Sequence, residues 1–378
     1  VNALVNKKRA TDILKKLLYI PTAPFNEHSV LHAITIISLK SKLFVEKDRY
    51  GNIIVSTNKK TPELMLCSHA DHPGFEVDSV KGNICQATFY GGVPLKYFQG
   101  TKVTLYSSQD HTRICEGKII HAKEDKRKDA KTAKIIIPTT IQKNSAVKKG
   151  DIAVWSLPDP QIRKRTMHAR SIDDIGGCAA ALSSLIELKK SGAKQNISCI
   201  FTRAEEQGFI GAIAAAKNCS ISKATPILSV ECSNFSGRAE MGGGPIVRAG
   251  DSTAIFDPQL TKMMTRIAAR LKKKNKRFNY QRKLMDGGTC EATAFQAYGY
   301  RTAGISLPLG NYHNIGKKKI EPEHISIDDY LNMIDLIVRF AKEFRKKDIT
   351  KGAEFKRTAK KLDEIERNYR KKIISNQA

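Results

Sequence analysis

Apolar positions recur at helical spacing over residues 9–19 and again over 27–46, the second run opening after Asn26 with Pro24 nearby. Short apolar runs follow at Ile53–Ser56 and 64–68, each bounded by turn residues, and these predict strands. From about 84 to 167 the texture changes. Runs at 103–106, 118–121, 133–138 and 152–156 are strand-like, separated by Gly, Lys and Asp, with no helical pattern between them. Short strands at such spacing predict a small β-barrel or sandwich. After 168 the alternation returns: a helix at 175–190, a strand at 197–203, a helix at 209–217 and a strand at 226–231. Helices at about 259–273 and 327–346 close the body.

Strands alternating with helices predict an α/β fold with a doubly wound sheet, here interrupted by a β module. The expected organisation is a first part of an α/β domain at 1–83, the inserted module at 84–167, and the second part at 168–345. The tail, 346–378, is basic and helix-permissive. Leu362, Ile365 and Tyr369 share one face of it, the pattern of a docked amphipathic helix.

A chain of 378 residues with 41% hydrophobic side chains can bury a sizeable core, which excludes disorder as the dominant state. Its charge is unusual: 65 Lys and Arg against 37 Asp and Glu leave +28. Residues 262–283 alone carry ten basic side chains and no acidic one. Aromatic interleaving is thin and no RNA-binding signature is present, so the basic stretches read as solvated faces and nucleic acid is not expected as a partner. Eight cysteines, no two closer than thirteen positions, exclude zinc-finger and thioredoxin-like spacing and read as reduced thiols. No apolar run approaches the ~18–20 residues a bilayer requires. Lys7, Lys8, Arg9, Lys15 and Lys16 interrupt the place where a secretory apolar segment would lie, so no membrane partner is expected and the cytoplasm is the expected compartment.

Five short segments place His, Asp or Glu at or near the ends of predicted strands, where open α/β sheets collect their ligands. They contain His69 and Asp71; Asp173 and Asp174; Glu205 and Glu206; Glu231; and Tyr312 and His313. Taken singly, each is ordinary. Ionised carboxylates directly after apolar runs, however, are costly unless they bind metal or are hydrogen-bonded. Together they form an inventory for two divalent metals: two imidazoles, three carboxylates with one bridging, and a further carboxylate as base. Metal-assisted hydrolysis is the chemistry such a set performs.

As an ordered set the segments resemble the M42 family of dinuclear metallo-aminopeptidases, within the zinc-exopeptidase clan. The supporting motifs are 208–212, 241–245, 287–289 and 305–308. The resemblance implies a zinc-exopeptidase-like mixed sheet flanked by helices and interrupted by a small β-barrel that acts as lid and oligomerisation domain. It implies two divalent ions (Zn, Co or Mn), one held by His69, Asp173 and Glu231, the other by Asp173, Glu206 and His313. Glu205 would be the general base, Asp71 would orient His69, and the Asp173–Asp174 peptide bond would be cis. The insertion between His69 and Asp173 favours M42 over the related M20 and M28 families. Three positions depart from the family pattern: Glu231 for Asp, Ile175 for Arg, and Cys290 for Asp, with Cys290 read as a packing thiol.

The expected function is therefore an aminopeptidase acting on peptides through a metal-bridging hydroxide and a Glu base, assembled as a homo-oligomer between dimer and dodecamer. A carboxypeptidase or N-deacylase on the same site, and a non-catalytic basic RNA- or protein-binding protein, are the alternatives. His72 and His168, near the ligands in sequence, are candidates for supporting them. Trp155 reads as packing within the β module, and Met263 and Met264 as helix core.

Overall fold

The computed structural model describes residues 5–125, 130–138, 147–235, 239–345 and 359–367. Helix α1 (Lys7–Leu18) is capped by the Asn6 side chain, which accepts from Arg9 N, and buries Ala10, Ile13, Leu14, Leu17 and Leu18 along one stripe. Helix α2 (His28–Lys40) stops short of the run expected to reach residue 46. Lys42 turns at φ +59°, and the residues beyond it leave the helix for strand β1 (Phe44–Lys47), which pairs antiparallel with β2 (Ile53–Ser56).

Strand β3 (Leu64–His69) enters the main sheet and is buried along its whole length. The chain then departs into the barrel through β4 (Gly74–Lys81), β5 (Ile84–Tyr90), β6 (Lys102–Tyr106), β7 (Arg113–Asp125), β8 (Ala130–Ile136) and β9 (Ile152–Trp155). These six close in the order β4-β5-β8-β7-β6-β9. Closure needs β4 beside β9, so the barrel begins at Gly74, earlier than the change of texture at 84. Its core holds an aromatic cluster among aliphatic side chains: Phe75, Phe89 and Phe98 surround Trp155 at ring-centroid distances of 5.1–5.5 Å.

Strands β10 (Gln161–Arg163) and β11 (Thr166–Ala169) join a small antiparallel sheet. Helix α3 (Ile172–Lys190) follows, then β12 (Ile197–Thr202), α4 (Ile210–Lys217), β13 (Ile227–Asn234), β14 (Ile246–Gly250), α5 (Pro258–Lys274), β15 (Gln281–Leu284), α6 (Glu291–Ala297) and β16 (Thr302–Leu309). A 3-10 turn (Tyr312–Asn314), β17 (Glu323–Ser326, paired with β11) and α7 (Ile327–Glu343) complete the body. Met263 and Met264 lie in the core as expected.

The main sheet has eight strands in the order β1-β2-β12-β3-β13-β16-β14-β15, mixed in direction. At its centre β12, β3, β13 and β16 run parallel, which puts their carboxyl ends along one rim. Helices α1, α3 and α7 pack through one large core. A second core, including Ala212, Ala215, Ala216 and Phe295 from α4 and α6, packs on Met65 and Ile200. Residues 359–367 are helical, with Leu362 and Ile365 58% and 46% exposed, so the docked face expected there is not buried; Tyr369 lies outside the described residues.

Candidate metal centre and active site

The rim of the parallel strands gathers side chains that are far apart in sequence. His69 ends β3, Glu205 and Glu206 lie in the turn after β12, Glu231 lies on β13, and His313 lies in the 3-10 turn after β16. Asp173 enters from the first turn of α3, where it and Asp174 have non-helical dihedral angles and are joined by a cis peptide bond.

The distances link these groups into one cluster. His69 Nε2 lies 3.6 Å from Asp173 Oδ1, 3.8 Å from Glu205 Oε2 and 3.9 Å from Glu231 Oε2. His313 Nε2 lies 3.6 Å from Asp173 Oδ2 and 3.1 Å from Glu206 Oε1. Asp173 therefore turns one carboxylate oxygen to each imidazole. Asp173, Glu206 and His313 lie close enough together to share one ion, as do His69, Glu205 and Glu206. His69 and Glu231 form a further group with Asp174, a residue that the sequence pattern did not single out as a ligand.

A layer of hydrogen bonds fixes the cluster from behind. His69 Nδ1 faces the Asp71 carbonyl at 3.2 Å and its carboxylate at 3.5 Å. With Nδ1 donating there, Nε2 keeps its lone pair for a cation on the side of the carboxylates. Asp71 also accepts from Glu205 N and Glu206 N, both at 3.0 Å, and so sets the turn that presents both glutamates. Buried Glu27 braces that turn from below, accepting from Ala204 N at 2.9 Å and Arg203 Nε at 2.7 Å. His72 bridges the Asp173 carbonyl at 2.6 Å and Asn314 Oδ1 at 3.0 Å. His168 instead stacks on His324 across β11 and β17.

Glu323, fully buried on β17, was not found by sequence reading. Its Oε2 accepts from Asp173 N at 3.0 Å and its Oε1 from His313 N at 2.8 Å, so one carboxylate holds the backbone of two site residues. Its sequence neighbours are Glu321, Pro322 and His324, which give no apolar strand pattern and no spacing that ties it to Asp173.

Burial pushes the carboxyl of Glu205 well above its usual range, with His69 opposing and Glu206 and Glu231 adding to the rise. Glu231 is raised to about 7 by burial, again with His69 opposing. Burial disfavours the His69 and His313 cations, yet the surrounding carboxylates override it and hold both imidazoles well above their usual value. Asp173 moves the other way: burial opposes, but His313 and His69 hold its carboxyl below the usual range.

The donors fit divalent cations. His313 Nδ1 and Asp174 Oδ1 are buried without a hydrogen-bond partner, and buried His313 Nε2 and Glu206 Oε1 face each other at 3.1 Å. Several carboxylates crowd around two imidazoles, and repulsion of this kind is relieved by bound cations. Mixed imidazole and carboxylate donors suit a divalent metal ion. Of the departures from the family pattern, Ile175 is buried, and the Cys290 thiol, 2% exposed, is pushed up to about 12 mainly by burial and stays protonated.

Comparison with known proteins agrees with this architecture. The sequence model of the M42 glutamyl aminopeptidase family matches residues 51–336. A curated relative from Acetivibrio thermocellus, provisionally named an aminopeptidase, is 25% identical over 348 residues, spanning 86% of this chain and 97% of its own. Among solved structures, the TET aminopeptidase of a marine-sediment Thaumarchaeota archaeon superposes with a TM-score of 0.76 at 18% identity, covering 91% of this chain and 99% of that one. The TET1 peptidase of Pyrococcus horikoshii gives 0.72 at 22% identity, covering 89% and 100%. Among the described residues, no helix is long and apolar enough to cross a membrane. The match over most of the chain, with the rim of acidic and imidazole groups inside it, makes this chain a member of the M42 glutamyl aminopeptidase family, a hydrolase of the aminopeptidase type.

Proposed function

We propose that the chain is a two-metal aminopeptidase that removes residues from the free N-termini of peptides. The observation that carries this reading is Asp173, with one carboxylate oxygen 3.6 Å from each imidazole, the disposition of a bridging ligand. His69, Asp173 and Glu231 would hold one divalent ion, and Asp173, Glu206 and His313 the other. Two such ions, when bound, polarise the scissile carbonyl and ease the ionisation of water.

The chain's own residues supply the rest. Glu205, whose side chain is 12% exposed, takes the proton of the attacking water and returns it to the leaving amine. Burial suits it to that task by raising its proton affinity. Asp71 positions both glutamates and holds His69 in one tautomer.

The inserted barrel is proposed as lid and assembly surface. The TET1 peptidase of P. horikoshii assembles into a tetrahedron or an octahedral shell, and a homo-oligomer between dimer and dodecamer is carried over to this chain as part of the proposal. A cytoplasmic peptidase of small peptides fits this picture.

The test is mass spectrometry of a peptide mixture, N-terminally free and acetylated, incubated with Zn-, Co- or Mn-loaded protein. Stepwise loss from free N-termini alone is expected. Cleavage of acetylated peptides, or trimming from the C-terminus, would instead assign the site to a deacylase or carboxypeptidase. Glu205→Gln should lower kcat by about 10²–10⁴-fold with metal content unchanged, and full retained activity would remove Glu205 from the base role.

A further inference from the structure

Helices α5 and α7 pack against one another and leave a cleft of about 970 Å³ between them. Along α5, Ile267, Arg270, Leu271 and Lys274 recur at i, i+3, i+4 and i+7 and so share the face that lines it. Helix α7 presents Asp328, Leu331, Asp335 and Arg339 in the same way. The lining of α7 runs from Asp328 to Glu343, which at ~1.5 Å per residue makes the cleft ~22 Å long. No residue of the metal centre lines it.

Six cations and three carboxylates face this cleft. The carboxylates are already matched: Arg165 Nε donates to Asp328 at 2.8 Å, Arg270 pairs with Glu343, and Arg339 lies 3.6 Å from Asp335. Lys7 adds its field to that of Arg165 on Asp328. Lys274 and Arg277 are exposed and have no ion pair or side-chain hydrogen bond among the described residues. Asn275 leaves α5 in an extended conformation, and its Oδ1 accepts from Arg277 N at 3.1 Å, which sets Arg277 just beyond the helix end. The carboxyl end of a helix favours cations in its last turn, and that accounts for Lys274. It accounts neither for Arg277 nor for the apolar surface that Leu271 and Leu331 give the same cleft.

Charge decides among the occupants. A nucleic-acid backbone would bring phosphates against Asp328, Asp335 and Glu343. The chain's own tail, 346–378, carries eleven basic and five acidic side chains and is repelled. A second copy brings the same cleft and the same +28. A segment that combines carboxylates with apolar side chains meets both the unmatched cations and the leucines. We infer that the α5–α7 cleft docks an acidic, apolar-interspersed segment of a partner protein. At ~3.3 Å per residue, an extended segment of about seven residues fills its length. The inference stands apart from the aminopeptidase reading, because the cleft shares no residue with the metal centre.

The probe is the heptapeptide Glu-Leu-Glu-Leu-Glu-Leu-Glu, N-acetylated, with a fluorophore at its C-terminus, titrated with the metal-loaded full chain by anisotropy. Its twins replace every Glu by Lys, or every Leu by Ser. Binding of the first peptide alone is expected. Lys274→Glu with Arg277→Glu should weaken it by about 10- to 100-fold. Lys273→Glu with Lys276→Glu makes the same charge change on exposed residues outside the cleft and should weaken it less than about threefold. Tm checks the folding of both double variants, and Lys274→Gln with Arg277→Gln replaces the first if its Tm falls. Absence of binding, equal binding of the Ser twin, or equal losses in the two double variants would overturn the inference. So would tighter binding, sensitive to Lys274 and Arg277, of a 20-nucleotide single-stranded RNA or of a peptide of residues 346–378. Sedimentation showing that the Lys274→Glu, Arg277→Glu protein loses an oligomer that wild type forms would assign the cleft to a second copy and likewise overturn it.

Discussion

Replacing Glu323 tests whether the metal centre is shaped from behind. The side chain is fully buried and accepts from Asp173 N at 3.0 Å and His313 N at 2.8 Å. A hydrogen bond to a charged group contributes roughly 1.5–3 kcal/mol net, and an orphaned buried donor costs about 1–3 kcal/mol. Glu323→Ala strands both donors, so its cost is about 3–6 kcal/mol, a large share of a domain's ~5–15 kcal/mol. Glu323→Gln keeps one acceptor oxygen and turns an amide NH2 toward the other N–H, so half that loss, ~1.5–3 kcal/mol, is expected. Because the two N–H groups belong to Asp173 and His313, metal affinity should fall by about 10–100-fold as well. Urea denaturation of chelator-treated protein measures the first effect through a shifted midpoint at unchanged slope, and calorimetric titration with Zn or Co measures the second. A Glu323→Gln protein within about 0.5 kcal/mol of wild type and with undiminished metal affinity would refute the reasoning.

Other substitutions and conditions probe separate parts of the argument. A Cβ at Gly177 would overlap the Asp174 carboxylate, so Gly177→Ala should cost about 1–3 kcal/mol in denaturation experiments. Asp329 accepts from Gly242 N and Gly244 N, and burial, only partly offset by those donors, raises its carboxyl to about 6. A folded pKa above the unfolded one gives stability that is complete below about pH 4 and is lost as pH rises through about 6. The stability of wild type relative to Asp329→Asn should therefore drop by about 1–3 kcal/mol between pH 4 and 7, and a flat difference would contradict it. Chelation should lower Tm, since an ion at a hundredfold its Kd stabilises the fold by about 2.7 kcal/mol. An unchanged Tm after verified metal removal would count against the rim as a cation site.

Much of this molecule was readable along the chain because runs and spacings of apolar residues report burial. Short apolar runs marked β2, β3, β9 and β12, and helical spacing marked α1, α3, α5 and α7 within a few residues at each end. The acidic and imidazole residues of the centre were legible for a related reason. Each lies in or just after a buried strand or opens a buried helix, where an unpartnered charge would not be tolerated.

What the sequence by itself determined was the inventory: which strands are buried, which carboxylates and histidines end them, and that a β module interrupts an α/β chain. Only the tertiary structure decided the partnerships. Glu323 reaches Asp173 across 150 positions, Glu27 reaches Ala204 across 177, and Arg248 finds its place only because Gly304 leaves β16 bare. The barrel's first strand likewise became assignable at Gly74 only when β9 closed against it. The physical reason is common to all four. Hydrogen bonds, buried charges and strand closure depend on distances between segments that the order of strands in the sheet brings together, and no local pattern of residues encodes that order.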